Sequence, residues 1–250
     1  MLKQASEQLQ NIVQFNQPNS MEELSVWEQL NAWEELNTWE ELNEQRCNQV
    51  IKGFHSMEAV EGFGLRLTQK DLYTLADSNW LNDEVINFYM NLLIARNTSS
   101  NKYPKVHAMN TYFYSKLLSG GHSSLKRWTR KVDIFAHDLI IIPIHLNVHW
   151  CMSIVDFRDK TIIYYDSMGS DNPKCLAALK LYLQNESLDK KKQPYDMSDW
   201  KFYSAKNIPR QTNGSDCGVF SCMFAEMAGI IYDLQLSSPL TSYVSGHPPP

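Results

Sequence analysis

The sequence predicts an α+β fold, and three observations carry that expectation. Residues 139–144, 150–157 and 161–165 are apolar runs joined by links of three residues or so, the pattern of antiparallel hairpins. Stretches with helical spacing of apolar residues lie before and after this strand-rich centre. An apolar helical stretch also begins directly after Cys217, behind a polar loop containing Gly214.

Taken in order, residues 1–20 are polar and rich in Gln and Asn, and are expected to be disordered. Residues 21–45 hold a six-residue repeat: Trp27, Trp33 and Trp39 recur with Leu24, Leu30, Leu36 and Leu42 midway between them. An apolar residue every three positions drifts by about 60° per step around a helix, so no single stripe forms. The repeat reads either as an acidic low-complexity segment or as a helix apolar on several sides that binds a partner. A globular domain is expected over residues 60–228. Thr68 can cap a helix over residues 69–76. Trp80-Leu81-Asn82-Asp83 reads as a turn and cap before a second helix carrying Val85, Phe88, Tyr89, Leu92 and Leu93. Short helices are expected over 111–118 and 125–131, and a further helix over 172–185. The tail, residues 229–250, holds Pro239 and ends in three prolines, and is expected to be irregular.

Composition excludes several functions. The 250 residues carry 23 Lys+Arg against 28 Asp+Glu, a net charge of -5, so there is no basic excess to neutralise phosphates and no nucleic-acid partner is expected. Lys190, Lys191 and Lys192 form too short a run to alter this. No apolar stretch approaches the ~18 residues of a membrane span, and the N-terminus lacks the apolar core of a signal peptide. The five cysteines, Cys47, Cys151, Cys175, Cys217 and Cys222, are odd in number and irregular in spacing, which points to a reducing compartment: nucleus, cytoplasm or both. A zinc site can be drawn from His145, His149 and Cys151 with Cys217 or Cys222, but no C-x2-C pair and no H-E-x-x-H occurs, so neither metal nor cofactor is expected.

The chemistry that remains is that of a thiol nucleophile. Only the thiolate attacks well, and it is stabilised by a charged His and by the positive end of a helix. Asn213-Gly214-Ser215-Asp216-Cys217-Gly218 puts Cys217 at a helix start, with small neighbours that leave room for a substrate. By itself this is equally a buried cysteine at an ordinary helix cap. His149 opens one strand and Asp166 closes the next. If these pair through the turn at residues 158–160, Asp166 falls opposite Cys151 and within side-chain reach of His149. Asp166 also reads as the first residue of a turn, Asp166-Ser167-Met168-Gly169. His145 is a rival base, and spacing does not choose between it and His149.

Several longer motifs resemble a known family. Pro143-Ile144-His145-Leu146-Asn147-Val148-His149-Trp150, Tyr165-Asp166-Ser167-Met168-Gly169, and residues 208–218 with Pro209-Arg210-Gln211 and Asp216-Cys217-Gly218 are similar to the sentrin/SUMO-specific cysteine proteases. Trp80-Leu81-Asn82-Asp83-Glu84 and Lys126-Arg127-Trp128-Thr129 match the same family upstream, most like its sentrin-specific protease 1 and 2 branch. The resemblance runs over residues 60–228. It implies a papain-like α+β fold with a mixed or antiparallel central sheet and the nucleophile at a helix N-terminus. It implies His149 rather than His145 as base, Asp166 as its orienter, Cys217 as nucleophile and Gln211 as the oxyanion-stabilising amide. It implies Trp80 and Trp150 as the walls of a narrow slot for the Gly-Gly end of SUMO, and contacts to SUMO from Asp83, Arg127, Trp128 and His145. The partners implied are SUMO and SUMO-conjugated proteins, met by a monomer. The activity implied is cleavage after the SUMO C-terminal Gly-Gly. The alternative is a weakly active or inactive member that binds SUMO.

The sequence departs from the family at three places. Arg210 stands where the family usually has Gln, and the stretch before it is shorter. After Ala225 the match fades, so the relatives' closing helix has no counterpart and a less stable domain is expected.

Overall fold

The computed structural model describes residues 59–76 and 79–230. The Trp repeat, the polar residues before it and the tail from residue 231 lie outside the described residues.

The described chain opens with a hairpin, β1 (Ala59–Gly62) and β2 (Leu65–Thr68), closed by Phe63 and Gly64, both at positive φ as a two-residue hairpin turn requires. Thr68 then caps α1 (Gln69–Tyr73) in a reciprocal box with Asp71. Asn82 caps α2 (Asp83–Ser99) by accepting from the Val85 N–H. The remaining elements are β3 (Val106–Ala108), α3 (Phe113–Gly120), β4 (Leu139–His145), β5 (Trp150–Asp156), β6 (Thr161–Tyr165), α4 (Pro173–Lys190), β7 (Lys201–Ser204) and α5 (Cys217–Ile230).

One five-stranded sheet organises them in the order β3-β4-β5-β6-β7. The three central strands pair antiparallel, and each edge strand pairs parallel with its neighbour, so the sheet is mixed. Pro143 sits inside β4 without breaking it. It faces Met152 on one side, while β3 has already ended opposite Ile141, so the missing N–H lies on an open edge.

Alternation along the strands builds two cores. Ile140, Ile142, Ile144, Cys151, Val155, Ile162 and Tyr164 point to the face covered by α3 and α4. Leu139, Ile141, Trp150, Met152, Ile154 and Tyr165 point to the face covered by α2 and α5. A sheet buried on both faces reads as continuous apolar runs, which is why β4 and β5 show no polar alternation.

The structure corrects several sequence expectations. Residues 125–131 are turns, with N–H groups of Trp128, Arg130 and Val132 reaching back three residues rather than four. Helical spacing there loses to contacts with α4: Glu186 takes His122 and Thr129, and Asp189 takes Lys126. The helix after Thr68 ends at Tyr73, and α4 runs on to Lys190. β1, β2, β3 and β7, of three or four residues each, carry too little pattern to be read from sequence. No described helix is long and apolar enough to cross a membrane.

Candidate active site

The site forms where β5 begins and β6 ends. Asn147, at φ 58°, turns the chain back after β4, and the Leu146 N–H donates to the His149 carbonyl at 2.8 Å. His149 is thereby set one residue ahead of β5. The β5–β6 register, Met152 opposite Tyr165, carries Asp166 into line with Cys151. His149 Nε2 meets Asp166 Oδ1 at 2.7 Å. The Asp166 side chain is 3% exposed and accepts two further hydrogen bonds, from the N–H groups of Met168 at 2.8 Å and Ser170 at 3.1 Å. Gly169 N–H donates to the Asp166 carbonyl at 2.8 Å. The two readings of Asp166 from sequence are therefore compatible: one carboxylate starts the turn and holds the imidazole.

These contacts set the charges. Burial pushes the Asp166 carboxyl up, but the His149 contact and the two backbone donors outweigh it and hold the group below the usual carboxylate range. His149 is raised to about 12, first by Asp166 and then by the neighbouring Cys151 and Cys217 thiols, against the opposing effect of burial. With Nε2 committed to Asp166, Nδ1 is the nitrogen left for a thiol. It is buried and closes no hydrogen bond among the described residues, although His149 and Cys217 are near enough to shift each other's ionisation.

Cys217 is the first residue of α5. The loop before it is organised by Asn213, whose Oδ1 accepts from the N–H groups of Ser215 and Asp216, both at 3.0 Å, while its Nδ2 donates to Asp216 at 2.8 Å. Burial raises the Cys217 thiol. His149 and the N–H groups of Trp150 and Gly218 more than offset this, and the group falls below its ordinary value. The other nearby thiol behaves oppositely. Cys151, fully buried within β5, is pushed up by burial. Cys151 Sγ, a His149 ring nitrogen and an Asp166 oxygen lie within 4.8 Å of one another, the only such potential metal-ligating cluster among the described residues. The 2.7 Å His149–Asp166 hydrogen bond already occupies the imidazole lone-pair direction that a metal would need on that side.

Gln211 lies on the same loop, six residues before Cys217. Its Oε1 accepts from Ser167 Oγ at 2.5 Å, its Nε2 donates to the Asn213 carbonyl at 2.8 Å, and its backbone N–H donates to the Ser167 carbonyl at 3.2 Å. Arg210 Nη1 donates to the Met168 carbonyl at 2.6 Å. Its guanidinium lies against Gly169, at φ +81°, where any Cβ would collide with it. Ser167 was not singled out by sequence reasoning as part of the site, while Cys151 was considered there only as a metal ligand and Arg210 only as a departure from the family. Ser167 lies inside a motif that was, but nothing in its residue type marks it.

Of the residues read as substrate contacts, Trp150 is 4% exposed and Trp80 50%. The Trp150 indole donates to the Leu81 carbonyl at 2.9 Å and stacks on the His145 ring, with centroids 4.0 Å apart and planes at 12°. Gly218 is not flanked by open space: a Cβ there would sit 2.8 Å from Leu81 Cβ, so its lack of a side chain admits the Trp80–Asn82 segment instead. Cys217, His149, Asp166, Trp150, His145 and the Trp80 segment are thus brought together. Asp83 is the half-buried first residue of α2. Arg127 is exposed, and Trp128 packs on Phe113 in the core beneath α3 and α4, across the sheet from α5.

Comparison with known proteins gives the chain's family. A "Sentrin-specific protease" of Caenorhabditis elegans is 52% identical over 169 residues, covering 68% of this chain and 24% of that protein. Human "Sentrin-specific protease 2" is 46% identical over 166 residues, covering 66% of this chain and 28% of its own length. The chain thus spans about a quarter of the length of the curated relatives it matches. Among solved structures, the C-terminal Ulp1 protease domain in complex with Smt3, the yeast ortholog of SUMO, superposes with a TM-score of 0.63 at 32% identity, covering 79% of this chain and 86% of that one. The model of the Ulp1 protease family, C-terminal catalytic domain, matches residues 79–229, more than half of the sequence, and the chain belongs to that family.

Proposed function

We propose that the chain is a thiol protease that hydrolyses the bond after the C-terminal Gly-Gly of SUMO, releasing SUMO from conjugated lysines and trimming SUMO precursors. The observation that carries this reading is the pairing of a raised His149, held by Asp166, with a Cys217 thiol lowered at the start of α5.

In this reading Cys217 exists as thiolate beside imidazolium His149. The sulfur attacks the glycine carbonyl and forms a C–S bond. The carbonyl oxygen becomes an oxyanion that meets the Gln211 amide. His149 gives its proton to the leaving lysine amine as the C–N bond breaks. Water then attacks the thioester carbonyl, giving a proton to His149, and the C–S bond breaks to release the glycine carboxylate and the Cys217 thiolate. Asp166 keeps the imidazole oriented throughout.

SUMO as partner is supported by the Smt3 complex of the related Ulp1 domain. Aromatic walls at Trp80 and Trp150, closed by His145 stacking, suit residues with no Cβ and reject bulkier ones by clash. Asp83, Arg127 and Trp128 would meet the body of SUMO. Four described cysteines are free thiols, which accords with a nuclear or cytoplasmic setting.

Incubation of the purified chain with SUMO carrying a C-terminal vinyl sulfone tests the reading. A covalent adduct at Cys217, absent with an equivalent ubiquitin probe, supports it. Tight SUMO binding without adduct would instead leave a SUMO-binding member without catalysis.

A further inference from the structure

We propose that Ser167 is a positioning residue that fixes the rotation of the Gln211 amide, so that the single turn from Asp166 to Ser170 aligns both the base and the oxyanion donor. The proposal rests on the reading of Gln211 as that donor.

A glutamine amide has two orientations of similar shape, and only one presents N–H groups to a developing oxyanion. Ser167 Oγ donates to Oε1 at 2.5 Å, and the hydroxyl belongs to a residue only 2% exposed. Asn213 places its carbonyl oxygen 2.8 Å from Nε2. Rotating the amide by half a turn would face Oε1 with the Asn213 carbonyl, two acceptors with no proton between them, and would oblige the Ser167 hydroxyl to turn its proton away and accept from Nε2 instead. The Asn213 carbonyl therefore selects the orientation, and the short bond from the buried Ser167 hydroxyl anchors the amide in it. One Nε2 proton is spent on Asn213, and the second has no acceptor among the described residues, so it remains for a substrate oxygen.

The same turn holds the other half of the site. Its first residue, Asp166, binds His149 at 2.7 Å, and its second binds Gln211 through both main chain and side chain. Arg210 fastens the nucleophile loop to the third by donating to the Met168 carbonyl at 2.6 Å. Residues 208–213 and 166–170 thus behave as one unit, and a displacement of the Gln211 amide by even ~1 Å would weaken its donor role.

The test compares Ser167→Ala, Ser167→Cys, Gln211→Ala and the double variant Ser167→Ala/Gln211→Ala in the full chain. Two rates are read: turnover of SUMO bearing a C-terminal aminocoumarin amide, and alkylation of Cys217 by iodoacetamide, followed by mass spectrometry of its peptide. Displacement of iodide builds no oxyanion, so alkylation reports the thiolate alone. Gln211→Ala is expected to lower kcat by about 100-fold. Ser167→Ala should lower kcat about tenfold with KM and the alkylation rate unchanged, and Ser167→Cys, similar in size with a weaker donor, should fall between. The double variant should be no slower than Gln211→Ala alone, because a positioning residue has nothing left to position. A wild-type kcat in Ser167→Ala, with Gln211→Ala still impaired, overturns the role of Ser167 and spares that of Gln211. Alkylation slowed in step with kcat also overturns it, since Ser167 would then act through Asp166. A wild-type kcat in Gln211→Ala overturns both.

Discussion

The Trp150 indole donates to the Leu81 carbonyl at 2.9 Å, joining residues 69 apart in sequence. This bond ties the start of β5, which directly follows the base His149, to the segment that carries Trp80. At 4% exposure Trp150 is a core residue as well as a wall. Trp150→Ala should therefore cost about 3–5 kcal/mol of stability. Trp150→Phe keeps most of the packing but strands the Leu81 carbonyl, at about 1–3 kcal/mol. Thermal melting and turnover measured together decide the matter. An unchanged melting temperature in Trp150→Ala would contradict the packing described.

Cys217→Ser should abolish turnover of SUMO conjugates while leaving SUMO affinity within about twofold, because a hydroxyl at this site lacks the activation a thiol needs. Calorimetric titration with SUMO and a gel-based cleavage assay read the two quantities. Residual cleavage at a rate near wild type would transfer the nucleophile to another group, Cys151 being the first to test.

The His149–Asp166 pair makes stability pH-dependent on both sides. His149 is raised from 6.5 to about 12, so its contribution is complete below 6.5 and is lost as pH rises through about 12. Asp166 is lowered from 3.8, so its contribution is present above that value and is lost as pH falls through its folded value. Asp166→Asn removes the first cause of the His149 shift. The stability gap between wild type and Asp166→Asn, from urea melts, should narrow steadily between about pH 7 and about pH 10. A constant gap would show that His149 is held by something other than Asp166.

Gly218→Ala puts a Cβ 2.8 Å from Leu81 Cβ. A better helix former should stabilise α5 by up to about 1 kcal/mol, but the clash should cost about 1–3 kcal/mol and displace the Trp80 segment. The expected net result is a lower melting temperature and a raised KM for SUMO substrates. An increase in melting temperature with normal KM would mean that Leu81 yields without consequence.

Glu186 is 1% exposed and holds His122 Nε2 at 2.5 Å and the Thr129 hydroxyl. It anchors to α4 the turn segment that carries Arg127 and Trp128. Glu186→Ala leaves both partners buried without it and should cost about 2 kcal/mol or more. If Arg127 and Trp128 meet SUMO, KM should rise several-fold while kcat in the folded fraction stays close to wild type. A fall in kcat alone would place the effect in the reaction centre.

Strands β4, β5 and β6 were legible in the sequence because both faces are buried, which leaves long apolar runs bounded by turn residues. Caps at Thr68 and Asn82 were legible for a local reason, since each hydrogen-bonds within three residues. The hairpin register, and with it the reach of Asp166 to His149, followed from counting residues through a short turn. Spacing did not choose between His145 and His149. Tertiary structure separates them: Asn147 turns the chain so that His145 ends β4 and stacks on Trp150, while His149 alone meets Asp166. The turns at residues 125–131 were misread as helix because their conformation is held by Glu186 and Asp189, some 60 residues away. The fate of Gln211, too, is decided by Ser167, 44 positions earlier. What the sequence determined by itself was the set of local preferences: where strands and helices start, which thiol heads a helix, which residue types are present for the chemistry. What only the tertiary structure decided was which of those groups touch, because a hydrogen bond between distant residues depends on how helices pack across the sheet, and no local pattern encodes it.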